Sequence, residues 1–552
     1  MEAGTDAAVA VLEPVPTDRQ ASMNRWAKRL TVLVLIAMPF VYGFVALHRG
    51  EDADWDLMNY HFFDPFWVLF NHQHDVAPAH LQTYYNPLLD IPFYFAARDL
   101  PARVVAFGIA VVQGVSFPII YLISREFTRR RLLALVAAGL GIFAAGAFSE
   151  IGSVMGDTLT APFLLGAVLL ALIACRNPSG SSRRRALSFA ALAGGLSGFG
   201  AGLKLSAIPF TVATVVAFLV VSMPFMRRVA LALASGCGAV VGLLISYGWW
   251  GYELASRWGS PLLPYGNQIF ASPYAPLASN TDARRLPHGL LQALFYPLYW
   301  TSQPLRTSPN AFRELSLPAL EIVLLLLVVK AVVTIAHRRR WHPIFASSAE
   351  RYIVIFAILT YLIWVDLFAI YRYLIPIEML SFLLLGICLR RLFAGAKARP
   401  AAVGVLAVII VASLATEETM ALGRTAWAHR YITVSVPASI PSPSAFLMVG
   451  SNPDAYVVPY FPSDDFFGRI ESNIKTTPAV ESLIKKDLRQ YSHVYLFWAY
   501  PGPYRTAAAF LNQPKPPWAA YGFIVEADAC VAIPTMIGTV PQPITVCPLE
   551  RA

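Results

Sequence analysis

The sequence predicts an α-helical polytopic membrane protein with about eleven transmembrane helices and a small C-terminal α/β domain. Of its 552 residues, 57% are hydrophobic and 14% are charged, and the mean hydropathy is +0.55. A soluble protein of this size carries more charge on its surface. The net charge of +10 is gathered in short basic clusters between apolar runs. This distribution is typical of membrane topology and argues against a nucleic-acid partner.

Apolar runs of about 20 residues, the length that crosses a bilayer core, define the transmembrane helices. They lie at 30–48, 103–124, 132–149, 156–175, 186–203, 206–226, 229–250, 317–336, 352–370, 373–390 and 400–416. Basic residues gather in alternate gaps, at 125–131, 176–185, 227–228, 338–351 and 390–399. Because basic loops remain in the cytoplasm, the alternation predicts a cytoplasmic N-terminus, and a missed helix would break it.

Three predicted parts follow from these helices. Residues 1–29 form a cytoplasmic tail, 30–416 the transmembrane domain with outer loops 49–102 and 251–316, and 417–552 an extracytoplasmic α/β cap. The polar N-terminal stretch lacks a cleavage site, so we expect the first helix to be retained. In the cap, the pattern predicts strands at 445–449 and 493–498 and a helix at 478–489. The predicted location is a bacterial inner membrane, with the C-terminus in the periplasm.

Five cysteines are present, and their positions predict two environments. Cys175, Cys237 and Cys388 lie in or beside membrane helices, where cysteine behaves as a small apolar residue. Cys530 and Cys547 lie in the cap, where an oxidising compartment permits a disulfide. Two unpaired thiols are the alternative. No cysteine or histidine spacing indicates a zinc or iron–sulfur site.

The first outer loop begins with a dense group of acids: Glu51, Asp52, Asp54 and Asp56. For an arbitrary loop, a solvated acidic turn is the expected structure. Here aromatic residues interleave with the acids, and an aromatic stretch at 62–70 follows, which predicts a helix at the membrane interface. At helical spacing, Asp56, Tyr60 and Phe63 share one face of that helix.

Five short motifs occur in order on the predicted outer side of the membrane. They are Asp-x-x-x-Tyr at 56–60, Tyr-Asn-Pro-Leu at 85–88, Gly-Leu-Lys-Leu-Ser at 202–206, Trp-Gly-Ser-Pro-Leu-Leu-Pro at 258–264 and Tyr-Arg-Tyr-Leu-Ile-Pro at 371–376. Their order resembles the GT-C superfamily of integral-membrane, mannosyltransferase-like glycosyltransferases over about 30–420. Ser260 replaces the asparagine that the family usually has in the fourth motif.

The resemblance implies a GT-C-like fold and a hexosyltransferase that uses a polyprenyl-phosphate sugar donor. The sugar would pass, with inversion, to a lipid or glycan acceptor outside the cytoplasm. Asp56 would be the catalytic base, since a carboxylate in a partly dry loop can accept a hydroxyl proton, with Asp54 or Asp52 as a weaker neighbour. Asp157 would be a second acid that orients the acceptor or a divalent metal. A helix N-cap is an equally good account of Asp157, and the cofactor stays unassigned.

Positive charge should face a lipid-phosphate leaving group, and Lys204 and Arg372 are predicted at outer helix ends. Snorkelling towards the membrane interface is the alternative for both. Tyr60, His61 and Tyr85 are the predicted substrate-binding residues. Asp366 lies near Arg372 in sequence, so a simple ion pair between them is expected.

Two other functions remain open from the sequence. A lipid or small-molecule transporter, or flippase, would favour charges at mid-membrane and internal repeats, but Glu321 and Lys330 lie in one helix and no repeat is visible. An enzyme similar to O-antigen polymerases or ligases would concentrate arginine and histidine in a late outer loop. The second outer loop does contain such residues: Arg257, Arg284, Arg285, His288, Arg306 and Arg313.

Overall fold

The fold is described from a computed structural model, which covers residues 18–176, 183–277, 282–338, 344–345, 347–472, 476–499 and 507–552. Predictions for the tail before residue 18, and for the basic residues Arg339 and Arg340, lie outside these ranges.

Apolar helices follow one another along the described chain. They are α1 (Arg25–Arg49), α2 (Ala102–Arg125), α3 (Arg131–Ile142), α4 (Asp157–Ala174), α5 (Arg183–Leu203), α6 (Leu205–Val220), α7 (Phe225–Trp258), α8 (Ser316–His337), α9 (Ser348–Leu367), α10 (Tyr371–Glu378 with Ser381–Leu392) and α11 (Arg399–Thr416). Within the described residues, 8 are long and apolar enough to cross a membrane, or 9 with the bent α10. The chain is therefore a polytopic membrane protein, but the count of eleven full spans is not confirmed.

The two helices that fall short are α3 and α6. Helix α3 has 12 residues, which is about 18 Å at 1.5 Å per residue and less than a bilayer core of about 30 Å. The sequence pattern extended it to residue 149 because the residues that follow are also apolar. Instead the chain turns after Ile142 and begins a separate short helix, Ala145–Ser149.

A buried carboxylate links this break to the bend in α10. Glu378 lies where α10 bends by 59°, and its two oxygens accept hydrogen bonds from Gly146 N at 3.0 Å and Ala147 N at 3.3 Å. These amides belong to the first turn of Ala145–Ser149, where they have no partner within the helix. By accepting these two hydrogen bonds from its position in α10, Glu378 stabilises both irregular segments.

Helices α5 and α7 pack through small residues. A Cβ atom built on Gly198 would lie 2.0 Å from the carbonyl oxygen of Ala239, and one on Gly194 would lie 1.8 Å from that of Ser235. Backbones approach this closely only where glycine removes the side chain, which is the usual packing of small residues between membrane helices. The contact fixes the end of α5, immediately before Lys204.

The C-terminal part forms a mixed seven-stranded sheet. Its strands are β1 (Ile432–Val434), β2 (Ser444–Val449), β3 (Phe466–Arg469), β4 (His493–Ala499), β5 (Phe523–Val525), β6 (Val531–Ile537) and β7 (Val540–Arg551). The order is β1-β6-β7-β4-β2-β3, with β5 pairing to β7, and β2 is parallel to both β3 and β4. Helix α12 (Pro478–Leu488) connects β3 to β4. The predicted α/β domain and its two strands and helix are confirmed.

The sheet domain packs directly on the first outer loop. Trp427 Nε1 donates to the Leu47 carbonyl at 3.0 Å, and residues 51–52 pair with 424–425 as two short antiparallel strands. The aromatic helix Phe63–Leu69 buries Phe63, Phe66 and Trp67 in a cluster shared with the sheet domain. The aromatic face of this helix is therefore covered by protein, and its position at the membrane interface stays a prediction.

Candidate active site

Two acids and two cations from four separate segments converge at the end of the helices that faces the sheet domain. The first pair is Asp56 and Arg372, with 2.6 Å between Asp56 Oδ2 and Arg372 Nη1. Asp56 directly precedes a one-turn π-helix, Leu57–His61. Arg372 lies in the tight first turn of α10, Tyr371–Leu374. The two side chains are only 11% and 18% exposed, so the pair is held in a largely dry environment.

The second pair is Asp157 and Lys204, with 2.7 Å between Asp157 Oδ2 and Lys204 Nζ. Asp157 is the first residue of α4, and Gly156 before it has φ of +88°, a conformation that favours glycine. Lys204 occupies the break between α5 and α6 and also donates to the Met155 carbonyl. Arg372 Nε lies 3.8 Å from the same oxygen of Asp157, which joins the two pairs into one cluster.

The helices that reach this cluster carry basic residues at their opposite ends. Asp157 is the first residue of α4, and Arg176 follows the other end of that helix. Lys204 follows the last residue of α5, and Arg183 is its first residue. The cluster and the sheet domain therefore lie on the face away from the predicted cytoplasmic loops.

Electrostatics distinguish Asp56 from the acids beside it. Burial alone raises the pKa of Asp56, but the neighbouring Arg372 and His61 bring it below its ordinary value. Burial raises the pKa of Asp54, and the carboxylates of Asp52 and Asp56 raise it further. Of these two candidate bases, only Asp56 is therefore held in the ionised form that accepts a proton.

The other acids of the first loop have structural contacts. Asp54 Oδ1 accepts from Leu57 N at 2.9 Å, which starts the π-helix. Asp52 is fully buried, and its Oδ2 accepts from Val154 N at 3.0 Å, fixing the loop that precedes Asp157. The alternative of a solvated acidic turn is therefore wrong.

Tyrosine rings form one side of the cluster. The hydroxyls of Tyr85 and Tyr265 are 2.6 Å apart and their rings stack at 5.8 Å, while Tyr60 meets Tyr85 edge-on at 5.4 Å. Lys204 Nζ and Arg372 Cζ each lie 5.4 Å from the ring centre of Tyr373. Tyr265 directly follows the fourth motif and Tyr373 lies inside the fifth, but neither was selected as a site residue from the sequence.

His61 belongs to a second, buried dyad. Its Nδ1 is 2.8 Å from Asp90 Oδ1, and its Nε2 is buried with no hydrogen-bond partner among the described residues. Sequence reasoning missed Asp90. Its position two residues before Pro92, at the start of Ile91–Asp99, is typical of a helix N-cap, so it gave no signal of a site.

Several charged residues do not join the cluster. Asp366 is exposed, so the expected ion pair with Arg372 is wrong; Asp56 takes that place. Lys330 donates to the carbonyls of Arg391 and Leu392 at the far end of α10.

Arginines of the second outer loop bond locally. Arg257 pairs with Glu253, Arg284 Nε lies 2.7 Å from Asp282 Oδ1, and Arg306 donates to the Leu286 carbonyl at 3.1 Å. The contribution of this loop to the cluster is Tyr265, not a group of cations.

Each carboxylate of the cluster has a cation at hydrogen-bond distance, so a divalent metal ion bound here would have to displace Lys204 or Arg372 from Asp157 and Asp56.

No protein-family model and no curated protein sequence matches the chain. Among solved structures, ArnT from Cupriavidus metallidurans in the apo state matches with 14% identity and a TM-score of 0.44, over 95% of this chain and 98% of that one. The same protein bound to undecaprenyl phosphate matches with 16% identity and a TM-score of 0.42, over 70% of this chain but only 64%, less than two thirds, of that one. The chain is therefore similar to these ArnT structures at low sequence identity.

Proposed function

We propose that the protein is a membrane glycosyltransferase that moves a sugar from a polyprenyl phosphate to an acceptor hydroxyl. The observation that carries the proposal is the cluster of Asp56, Asp157, Lys204 and Arg372 beneath the sheet domain. Glycosyl transfer from a lipid phosphate needs a base for the acceptor and cations for the leaving group. The cluster supplies both within one partly dry site at the ends of membrane helices.

In the proposed reaction, the Asp56 carboxylate takes the proton of the acceptor hydroxyl. The acceptor oxygen then forms a bond to the anomeric carbon of the sugar. The bond between that carbon and the phosphate oxygen breaks, and its electron pair stays on the lipid phosphate. Because this is a single displacement, the anomeric configuration inverts.

The cations support this step through their donor geometry. Arg372 uses Nη1 for Asp56 and lies close to Asp157 through Nε, so a guanidinium with five N–H donors keeps donors for a phosphate oxygen. Lys204 is 16% exposed and adds a second positive charge beside it. Asp157 compensates both cations before substrate binds, which makes it a positioning residue.

The tyrosines suit the sugar and its carrier. Tyr60 and Tyr85 present aromatic faces and edges beside Asp56, and Tyr265 adds a hydroxyl from the second loop. Ligand sites typically combine apolar aromatic walls with a few placed polar groups. The His61 ring lies against the Tyr60 ring, with ring centres 4.1 Å apart. Because His61 is held by Asp90, it orients the Tyr60 ring in the proposed site.

Transfer of label tests the proposal. Membranes that contain the protein are incubated with radiolabelled polyprenyl-phosphate sugars. The first donors tested carry the sugar on undecaprenyl phosphate, the lipid bound in one of the similar ArnT structures. We expect label in a lipid or glycan product, loss of product with Lys204→Gln, and full product with Lys485→Gln, a lysine on the surface of the sheet domain.

Two outcomes would contradict the proposal. One is that no donor of the panel gives product with the wild type at high expression. The other is that the wild type moves the lipid across vesicle bilayers without forming product, which is the behaviour of a transporter or flippase.

A further inference from the structure

Three side chains of the first outer loop converge at the edge of the sheet domain, apart from the active-site cluster. His72 Nδ1 lies 3.3 Å from Asp75 Oδ2, and His74 Nε2 lies 3.7 Å from Asp75 Oδ1. The three ligand atoms all lie within 4.8 Å of one another. In a tetrahedral zinc site with bonds of about 2.0–2.2 Å, neighbouring donor atoms are about 3.3–3.6 Å apart. Two of the observed separations, 3.3 Å and 3.7 Å, are close to this geometry.

Backbone contacts hold these residues in place. Val76 N donates to the Phe467 carbonyl at 2.9 Å, and Asp75 Oδ1 accepts from Phe467 N at 2.8 Å. The loop thereby extends the sheet along β3, with Val76 beside Gly468. The side chain of His72 is 2% exposed and that of Asp75 is fully buried. Two of the three candidate ligands are therefore fixed before any ion binds.

The third ligand borders an acidic cleft. His74 is 40% exposed, and it lines a cleft of ≈ 350 Å³ together with Asp464, Asp487 and Gln490. His74 Nε2 donates to the Asp465 carbonyl at 3.1 Å, and a metal ion bound at this nitrogen would replace that hydrogen bond. A cation held by the two histidines and Asp75 would keep one position open towards this cleft, where water or a carboxylate completes the coordination.

We propose that His72, His74 and Asp75 bind a divalent transition-metal ion with the ligand preferences of zinc. Two imidazoles and one carboxylate are a donor set that zinc accepts, and calcium and magnesium prefer all-oxygen sites. The ion ties the loop that carries Asp56 to the edge of the sheet domain. This inference does not depend on the proposed function, because binding is measured without substrate.

The test uses the full-length protein in detergent, purified without a polyhistidine tag and stripped with a chelator. Zn²⁺ is then titrated, and bound metal is measured by calorimetry and by mass spectrometry of the dialysed protein. We expect one equivalent bound to the wild type and to His429→Ala, which removes an exposed histidine elsewhere. We expect binding at least about 10-fold weaker in His74→Ala and Asp75→Asn, since even loss of an outer partner costs about 10- to 100-fold.

Thermal unfolding gives a second measurement. Zn²⁺ should raise the Tm of the wild type and of His429→Ala, and should leave that of His74→Ala unchanged. His74→Ala should have the wild-type Tm in metal-free buffer, because its side chain is half exposed and Asp75 keeps its contact with Phe467. The inference is overturned if the stripped wild type binds no zinc, or if His74→Ala binds zinc as tightly as the wild type.

Discussion

Replacing Asp56 with asparagine separates its catalytic charge from its structural contact. The amide keeps an oxygen that can accept from Arg372 Nη1, 2.6 Å away in the wild type, but it cannot accept the acceptor's proton. Removal of a general base costs about 100- to 10,000-fold in rate. At about 1.36 kcal/mol per tenfold, this is about 2.7–5.4 kcal/mol of transition-state stabilisation.

The free energy of unfolding that Asp56→Asn loses should be smaller than the transition-state stabilisation that it loses. Breaking a buried ion pair typically costs about 3–5 kcal/mol because one charge is left uncompensated. Here Asp157 Oδ2 remains 3.8 Å from Arg372 Nε, and the asparagine oxygen keeps a hydrogen bond. We therefore expect Asp56→Asn to unfold at a slightly lower temperature and to accumulate in membranes at near wild-type levels.

The assay compares turnover of Asp56→Asn, Asp157→Asn and Asp99→Asn at matched membrane expression. Asp99 is the control, since it is in the same loop, pairs with Arg98 and is 55% exposed. The pH profile adds a check. Because the pKa of Asp56 lies below its ordinary value, the wild-type rate should persist to a lower pH than a base with the ordinary aspartate pKa would allow.

Near wild-type turnover of Asp56→Asn, with loss of turnover in Asp157→Asn, would refute the assignment and make Asp157 the base. If neither acid matters but Lys204 and Arg372 do, anion binding without a base remains, and that result favours a transporter.

Other predictions concern packing, pH, topology and redox state. Gly198→Ala should destabilise the protein by about 1–3 kcal/mol through overpacking, while Gly139→Ala, which meets nothing within 4 Å, should not; equal Tm values would contradict this. Burial raises the pKa of Glu51 to about 7, so stability should fall as pH rises from about 4.3 to 7 because the unfolded chain loses its proton first. Glu51→Gln should flatten this part of the thermal-unfolding profile, and an unchanged slope would exclude Glu51 as its source. A C-terminal phosphatase fusion should be active and a C-terminal fluorescent protein dark, and the reverse pattern would place the sheet domain in the cytoplasm. Cys530 and Cys547 are joined by a disulfide in the structure, so maleimide should label neither before reduction, and labelling of both in native membranes would contradict that bond.

Features that repeat locally along the chain were predictable from the sequence. Apolar length and the alternation of basic gaps determined the membrane class, because each helix must bury its own backbone in lipid. The strands at 444–449 and 493–499 follow from short, mainly apolar runs, and the helix between them follows from a proline at its first turn. The candidate residues Asp56, Lys204 and Arg372 were also selected, each from its own motif, and Asp157 was selected as the second acid that the family resemblance implies.

The sequence did not determine how these residues combine. Asp56 and Arg372 are 316 positions apart, and nothing local shows that Arg372 pairs with Asp56 and not with Asp366. The break that shortens α3 was hidden for the same reason, because Glu378 accepts from amides 232 and 231 positions away. The dyad of His61 with Asp90 likewise joins two separate parts of the first outer loop. Local sequence patterns indicate whether a segment contacts lipid or water. Which carboxylate faces which cation, and which remains ionised, depends on distances between packed helices, and only the tertiary structure decided those.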